Sequence, residues 1–184
     1  MSGTFFTVGH SNRSLEEFLE LLEENAVGLV VDVRRLPGSS KHPQFDEDAL
    51  GEALREVGVE MVRSPGLTGR RPVSKTIPFE VNAWWQNRSF HNYADHALSE
   101  EFRDALEELR SWGSEKRVAV MCAEAVWWRC HRRIIADQLL ARGEDVQHIM
   151  GPGQTMDAEL SKGAVVDEAD GDTGAARVTY PAAE

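Results

Sequence analysis

The chain has little of what would assign it to a specialised class of protein. Only two cysteines, Cys122 and Cys130, occur in 184 residues, so a framework of disulfide bonds is not expected. No run of eighteen apolar residues occurs, and a membrane-spanning helix would require one. The first residues lack the basic and long apolar segments of a secretory signal. We therefore expect a cytoplasmic protein that is not associated with a membrane.

Basic residues are also scarce, with 20 lysines and arginines against 31 acidic residues and a net charge of −11. This balance argues against general binding to nucleic acid, which requires a basic face. Sixteen of the 20 basic residues are nevertheless arginine, and several of these cluster in predicted loops: Arg34, Arg35, Arg63, Arg70, Arg71, Arg129, Arg132 and Arg133. Arginine clamps phosphate or carboxylate groups, so the pattern suggests a small anionic ligand. Coding bias combined with surface ion pairs is the alternative explanation.

Apolar segments alternate between the patterns of strands and helices. Continuous apolar runs predict strands at 5–8, 29–33, 59–62, 117–121 and 146–150. Helices are predicted to begin after Ser14, Asp46 and Ser99, and another is predicted over 132–141. The alternation predicts an α/β fold, a single compact domain with a mostly parallel sheet and helices on both faces.

The C-terminal part of the sequence differs from the rest. Residues 1–150 form the predicted α/β domain, whereas residues 151–184 are rich in glycine, alanine and aspartate and have no apolar periodicity. We expect the latter segment to be an acidic, flexible tail, of which residues from about 155 to 184 are dispensable for folding.

Polar residues follow several of the predicted strands at their carboxyl ends. They are His10 and Ser11 after the first, Asp32 and Arg34 at the second, Cys122 and Glu124 at the fourth, and His131 and Arg132 before the next helix. Parallel strands end at one edge of the sheet, so these side chains should line or support a single pocket there. Asp32 is expected to hold an arginine, because a buried carboxylate needs a partner.

Each of these residues also has a purely structural interpretation. Cys122 could be a small core residue, and His10 could cap a turn. Asp32 with Arg34, and Glu124 with Arg132, could be structural ion pairs. Trp127 and Trp128 could form a hydrophobic plug or an interface.

The motifs together resemble the domain of unknown function 488 family. The resemblance runs from about Thr4 to Met150 and rests on Thr7-Val-Gly-His-Ser11, Asp32-Val-Arg34, Leu67-Thr-Gly-Arg70 and Met121-Cys-Ala-Glu124 followed by Cys130-His-Arg132. It implies a compact α/β domain and supplies no established reaction. This chain departs from the family pattern at Thr68, where the family has glycine, and at Trp127-Trp128, where the family has a proline-bearing spacer.

The motif around the cysteines is compatible with several chemistries. In the first, Glu124, His10 or His131 transfers protons to or from a phosphorylated or nucleotide-like ligand that Arg34 and Arg132 bind. In the second, Cys122 is a nucleophile at a helix start, as in rhodanese-like and cysteine-phosphatase sites. The interval from Cys122 to Arg129 is longer than in either of those classes and holds bulky residues.

Our hypothesis is an enzyme of the first kind, a hydrolase or a transferase. Its catalytic candidates are Cys122, Glu124, His131 and His10, and its ligand-binding candidates are Arg34, Arg132, Ser11 and Asp32. No cofactor and no resident metal are predicted. A zinc site on Cys122, Cys130, His131 and His10 remains an alternative, although seven residues between the cysteines is a poor spacing for one. A non-catalytic binding module is the last alternative.

Overall fold

The computed structural model describes residues 4–38, 41–167 and 176–182, which form a central sheet with helices packed against it. The strands are β1 (Thr4–Gly9), β2 (Leu29–Asp32), β3 (Glu60–Arg63), β4 (Val118–Cys122), β5 (Asp145–Gly151) and β6 (Gln154–Asp157). They lie in the order β3-β2-β4-β1-β5-β6. The pairs among β1 to β5 are all parallel, and only β6 runs antiparallel. The predicted α/β fold with a mostly parallel sheet is thereby confirmed.

The helices are α1 (Leu15–Glu24), α2 (Glu47–Glu56), α3 (Arg88–His96), α4 (Glu100–Glu115) and α5 (Arg132–Ala141). The capping box predicted at Ser14 is present, since its hydroxyl accepts from the Glu17 amide and the Glu17 carboxylate accepts from the Ser14 amide. Ser99 caps α4 by accepting from the Phe102 amide. Asp46 precedes α2 as predicted, but its side chain makes no capping hydrogen bond to that helix.

Helices cover both faces of the sheet, because alternate strand residues enter two separate cores. Phe6, with its neighbours on that face, packs with Phe18 of α1 and Leu54 of α2. Phe5 on the opposite face packs with Leu106 of α4 and Ile135 of α5. No helix in the described ranges is both long and apolar enough to cross a membrane.

The C-terminal segment corrects the expectation of a loose tail. Residues 154–157 extend the main sheet, and β7 (Val165–Asp167) pairs with β8 (Arg177–Thr179). Val178 and Tyr180 are fully buried in the core beneath α5. The Tyr180 hydroxyl donates to the buried Asp137 carboxylate at 2.6 Å. Two apolar side chains were too few to produce a periodic signal, and residues 168–175 and 183–184 lie outside the described ranges.

Candidate active site

The candidate site lies where the direction of strand order reverses. From β1 the chain crosses to β2 and β3 on one side, and from β4 it crosses to β5 on the other, so the reversal falls between the neighbours β1 and β4. Open parallel sheets bind ligands outside the carboxyl ends of the strands at such a point. Gly9 ends β1 there, and a Cβ at Gly9 would lie 1.8 Å from the Glu124 carbonyl oxygen. The close approach of these two loops therefore requires glycine.

Two thiols meet at this edge of the sheet. Cys122 ends β4 and Cys130 precedes α5, and their Sγ atoms are 2.8 Å apart. Both residues are free cysteines, and they are only 4% and 6% exposed. The Cys130 sulfur also accepts from the Arg132 amide, in the first turn of α5, at 3.4 Å. Cys130 is therefore the cysteine that faces the positive end of a helix.

His131 is oriented to interact with the Cys130 sulfur. Its Nε2 lies 3.0 Å from the Val33 carbonyl oxygen, which can only accept, so Nε2 carries the proton. This leaves Nδ1, 3.6 Å from Cys130 Sγ, as the atom that can exchange a proton with the thiol. The imidazole also packs against the Tyr93 ring at 4.9 Å between centroids.

Gly69 leaves the space that this imidazole occupies. A Cβ at Gly69 would lie 2.7 Å from His131 Nδ1. Thr68, the departure from the family pattern, has an extended backbone and donates its hydroxyl to the Pro65 carbonyl at 3.0 Å. The loop thus keeps its glycine where the histidine needs it and accommodates a side chain one residue earlier.

The two thiols have opposite pKa shifts. Burial raises the pKa of Cys122 well above its ordinary value, and the hydrogen bond and charge of Cys130 raise it further. Burial also acts to raise the pKa of Cys130, but the hydrogen bond from Cys122, the adjacent His131 and Arg132 together lower that pKa well below its ordinary value. These opposite shifts favour the thiolate form at Cys130 and the thiol form at Cys122. The thiol-nucleophile hypothesis drawn from the sequence named Cys122 and not Cys130.

Asp32, Arg34 and His10 form a buried polar network beside the thiols. Arg34 donates through Nε and Nη2 to the two Asp32 oxygens at 3.0 and 2.9 Å, and through Nη1 to the Phe45 carbonyl at 2.6 Å. The predicted support of an arginine by Asp32 is confirmed. His10 donates from Nδ1 to the Ser11 carbonyl at 2.9 Å, so its Nε2, 3.4 Å from Arg34 Nη1, is the acceptor. Burial, with Arg34 among the further causes, lowers the pKa of His10 to about 4.

Arginines surround a cavity of about 320 Å³ above the cysteines. Its lining includes Cys122, Cys130, His131, Glu124, Tyr93, Arg34, Arg35, Arg70 and Arg129. Arg35, Arg70 and Arg129 are exposed, and none of their guanidinium groups bonds to a described residue. Arg70 also has a left-handed backbone, with φ 56°. Three uncompensated guanidinium groups make the cavity suitable for an anion.

A second cavity of about 500 Å³ adjoins the first at Ala123 and Glu124. It is lined by His10, Ser11, Asn12, Lys41, His42 and Ala125 as well. Glu124 lies between the two cavities, and its exposed carboxylate accepts from the Val126 amide at 3.3 Å. Ser11 has a left-handed backbone, with φ 49°. Six of the eight predicted residues therefore divide between two adjoining cavities, and Asp32 and Arg132 line neither.

Arg132 does not lie where its predicted role in ligand binding would require. It is 1% exposed and does not line either cavity. Its Nη2 donates to the backbone carbonyls of Glu124 and Ala125 at 2.8 and 3.3 Å. The side chain thus holds the loop between the cysteines, and its partner in residue 124 is the carbonyl oxygen and not the carboxylate.

Four residues at the cavity were not predicted as catalytic or ligand-binding residues: Cys130, which was named only as a ligand of the alternative zinc site, and Arg35, Arg70 and Arg129. Cys130 had a usable signal, because it is nearer than Cys122 to the start of α5. The arginines had none that separated them from the other loop arginines. Trp127 and Trp128 do not line either cavity; Trp127 stacks on His148 at 4.5 Å, and Trp128 is exposed.

The alternative zinc site would require four ligands to converge at this edge of the sheet. Within the ranges that the structure describes, no three His, Cys, Asp or Glu side chains are grouped so as to hold a metal ion. His10, one of the four ligands considered, has both ring nitrogens engaged by Ser11 and Arg34. The residues present therefore do not fit the four-ligand zinc site.

The fold and the site together define an α/β protein with a pair of thiols at the reversal of its parallel sheet. Residues 14–139 match the family described as "Domain of unknown function DUF488", and the chain belongs to that family. This confirms the resemblance carried by the sequence motifs. No match was found among the curated proteins or among the solved structures.

Proposed function

We propose that the protein is a thiol-dependent enzyme in which the Cys130 thiolate attacks the electrophilic centre of a small anionic substrate. The single observation that carries this proposal is the contact between Cys122 and Cys130, 2.8 Å between sulfurs, inside a cavity lined by arginines. One thiol stabilises the other as a thiolate, which is the nucleophilic form. His131 Nδ1, 3.6 Å from the nucleophile, is in place to give a proton to a leaving group.

Arg35, Arg70 and Arg129 would bind the charged part of the substrate. Guanidinium groups bind phosphate or carboxylate through paired hydrogen bonds, so a phosphorylated, nucleotide-like or carboxylate-bearing molecule would suit them. Arg34 also lines the cavity, but its charge is compensated by Asp32, so we assign it to shaping the wall. Ser11 would contribute to the adjoining cavity.

Transfer of the captured group to water would make the enzyme a hydrolase, and transfer to another acceptor would make it a transferase. The reaction as proposed needs no cofactor. A pair of reduced thiols persists best in a reducing compartment, which supports a cytoplasmic location. The acidic net charge of −11 supports a small molecule over nucleic acid as the partner.

Acid–base chemistry without a covalent intermediate is the second candidate. It is favoured by Glu124, whose exposed carboxylate lies between the two cavities. His10 is a weak candidate for this role, because burial lowers its pKa to about 4 and both its nitrogens are engaged. Cys122 would then only line the cavity.

Alkylation with a charged and a neutral reagent tests the first candidate. At neutral pH, iodoacetate and iodoacetamide should both label Cys130, and inorganic phosphate should slow the labelling. Arg70→Gln and Arg129→Gln should slow the reaction with iodoacetate and leave that with iodoacetamide nearly unchanged. Labelling of Cys122 in preference to Cys130, or indifference to the arginine changes, would contradict the proposal. Substrate turnover that survives Cys130→Ser but not Glu124→Gln would favour the second candidate.

A further inference from the structure

The proposed nucleophile touches a second thiol that a simple displacement reaction does not require. Cys122 could be replaced by any small hydrogen-bond donor if its only task were to stabilise the thiolate. The two sulfurs are instead 2.8 Å apart, and a disulfide bond is about 2.05 Å long. Closing the bond therefore needs a movement of less than about 1 Å.

The positions of the two cysteines favour reversible formation of a disulfide bond between them. Cys122 is anchored at the end of β4, in the middle of the sheet, whereas Cys130 lies at the end of the turn Trp127–Arg129. A local shift of the Cys130 sulfur therefore suffices to reach a partner that the sheet holds in place. Both thiols line the same cavity, so a group attached to Cys130 would remain within reach of Cys122.

We propose that the substrate is a small anionic disulfide, which Cys130 cleaves and Cys122 then releases. This proposal rests on the proposed function, and it names sulfur as the electrophilic centre. In the first step Cys130 S⁻ attacks one sulfur of R–S–S–R′, a new S–S bond forms, and R′–S⁻ leaves. In the second step Cys122 loses its proton to the departing thiolate or to solvent and attacks Cys130 Sγ. R–S⁻ leaves, and the protein retains a Cys122–Cys130 disulfide.

Electrons balance in this sequence. The substrate disulfide gains two electrons and becomes two thiols, while the pair of cysteines loses two electrons. Return to the starting state needs an external dithiol of the kind that reduces protein disulfides.

The charges in the site suit both steps. The Cys130 thiolate is the attacking form at the start, and its negative charge is one cause that keeps the pKa of Cys122 high. When Cys130 enters the mixed disulfide that charge disappears, and Cys122 can lose its proton more readily. Arg35, Arg70 and Arg129 attract the anionic groups carried by the substrate.

A single-turnover reaction with two reagents of opposite charge tests the proposal. The reduced full-length protein is mixed with the anionic disulfide 5,5′-dithiobis(2-nitrobenzoate) or with the cationic disulfide cystamine. Wild type should release two nitrothiobenzoate ions per reagent molecule consumed, and its mass should fall by two hydrogen atoms with no adduct. Cys122→Ser should release one ion and retain the adduct on residue 130. Cys130→Ser should not react at neutral pH.

The charge part of the proposal is tested in the same assay. The double variant Arg70→Gln with Arg129→Gln should react at least about tenfold more slowly with the anionic reagent, a typical size for electrostatic steering. Its reaction with cystamine should not slow. Equal slowing with both reagents would overturn the assignment of an anionic substrate.

The outcomes distinguish a failure of the disulfide proposal from a failure of the proposed function. A stable adduct on Cys130 of the wild type, with one ion released, would overturn the role of Cys122 and leave Cys130 as the nucleophile. Absence of any reaction at Cys130 in folded wild type would overturn both proposals. Because the wild-type mass alone decides the first point, the test does not depend on the folding of the cysteine variants.

Discussion

Replacing Tyr180 with phenylalanine should lower the free energy of unfolding by about 2 kcal/mol. The lost hydroxyl donates at 2.6 Å to Asp137, which is fully buried, and a hydrogen bond to a charged group contributes about 1.5–3 kcal/mol. Asp137 keeps the Ser161 amide as a donor at 2.9 Å, so the carboxylate is not left without a partner. The ring itself remains, and no cavity is created.

Deleting residues 176–184 should have a larger effect than the phenylalanine variant. It removes two fully buried side chains, Val178 and Tyr180, each worth about 1.5–3 kcal/mol by burial, as well as the hydroxyl bond. The sum of about 5 kcal/mol or more equals the lower end of total stability for a domain, about 5–15 kcal/mol. The truncated chain should therefore be barely folded at room temperature.

Urea unfolding followed by tryptophan fluorescence measures both effects, because Trp84 and Trp85 pack against the Tyr180 ring. Arg177→Gln is the matched control, since Arg177 is exposed in the same strand and should change stability by less than about 0.5 kcal/mol. Unfolding midpoints of Tyr180→Phe and the truncated chain equal to that of wild type would refute the reasoning. They would restore the expectation of a dispensable tail.

Three further predictions concern the site and its supports. Asp32→Asn should lower the free energy of unfolding by about 3 kcal/mol in urea, because it weakens a buried ion pair. The control Glu60→Gln breaks the exposed pair with Lys116 and should change the free energy of unfolding by less than about 1 kcal/mol. Gly69→Ala should displace the His131 ring and slow Cys130 alkylation. The control Gly51→Ala lies in α2 with open space around the added Cβ, so it should leave alkylation unchanged and stabilise the helix by up to about 1 kcal/mol. Stability should also fall as the pH decreases from about 6.5 to about 4, because the unfolded chain protonates His10 near 6.5 whereas burial lowers its folded-state pKa to about 4. A pH series of melting temperatures should show a shallower fall in His10→Gln, and an identical slope would contradict the last of these.

The sheet could be predicted from the sequence because its signals are local. Continuous apolar runs marked the five parallel strands, and Ser14 and Ser99 marked two helix starts. Parallel pairing of the strands was enough to predict that His10, Asp32 and Cys122 lie at the same edge of the sheet.

The C-terminal strand and the details of the site depend on long-range contacts that no local pattern contains. Tyr180 is buried in the core, where Asp137, far away in sequence, accepts its hydroxyl. Arg132 donates to a backbone carbonyl of the loop before it. The sequence around an arginine in this role does not differ from that around an arginine that binds an anion. The division of charge between Cys122 and Cys130 depends on which sulfur receives the α5 amide and faces His131.

The central claim is that Cys130 is a thiolate at neutral pH and Cys122 is a thiol. An ultraviolet absorbance titration of the thiolate, run on wild type, Cys130→Ser and Cys122→Ala, tests it most directly. We predict that wild type has one thiolate that persists at pH values well below the free-thiol pKa of about 8.5. Cys130→Ser should have no thiolate at neutral pH. Cys122→Ala should raise the pKa of Cys130, because residue 122 no longer donates a hydrogen bond to it. A wild-type titration with no thiolate below about pH 8.5, or a neutral-pH thiolate that survives Cys130→Ser, would contradict the account.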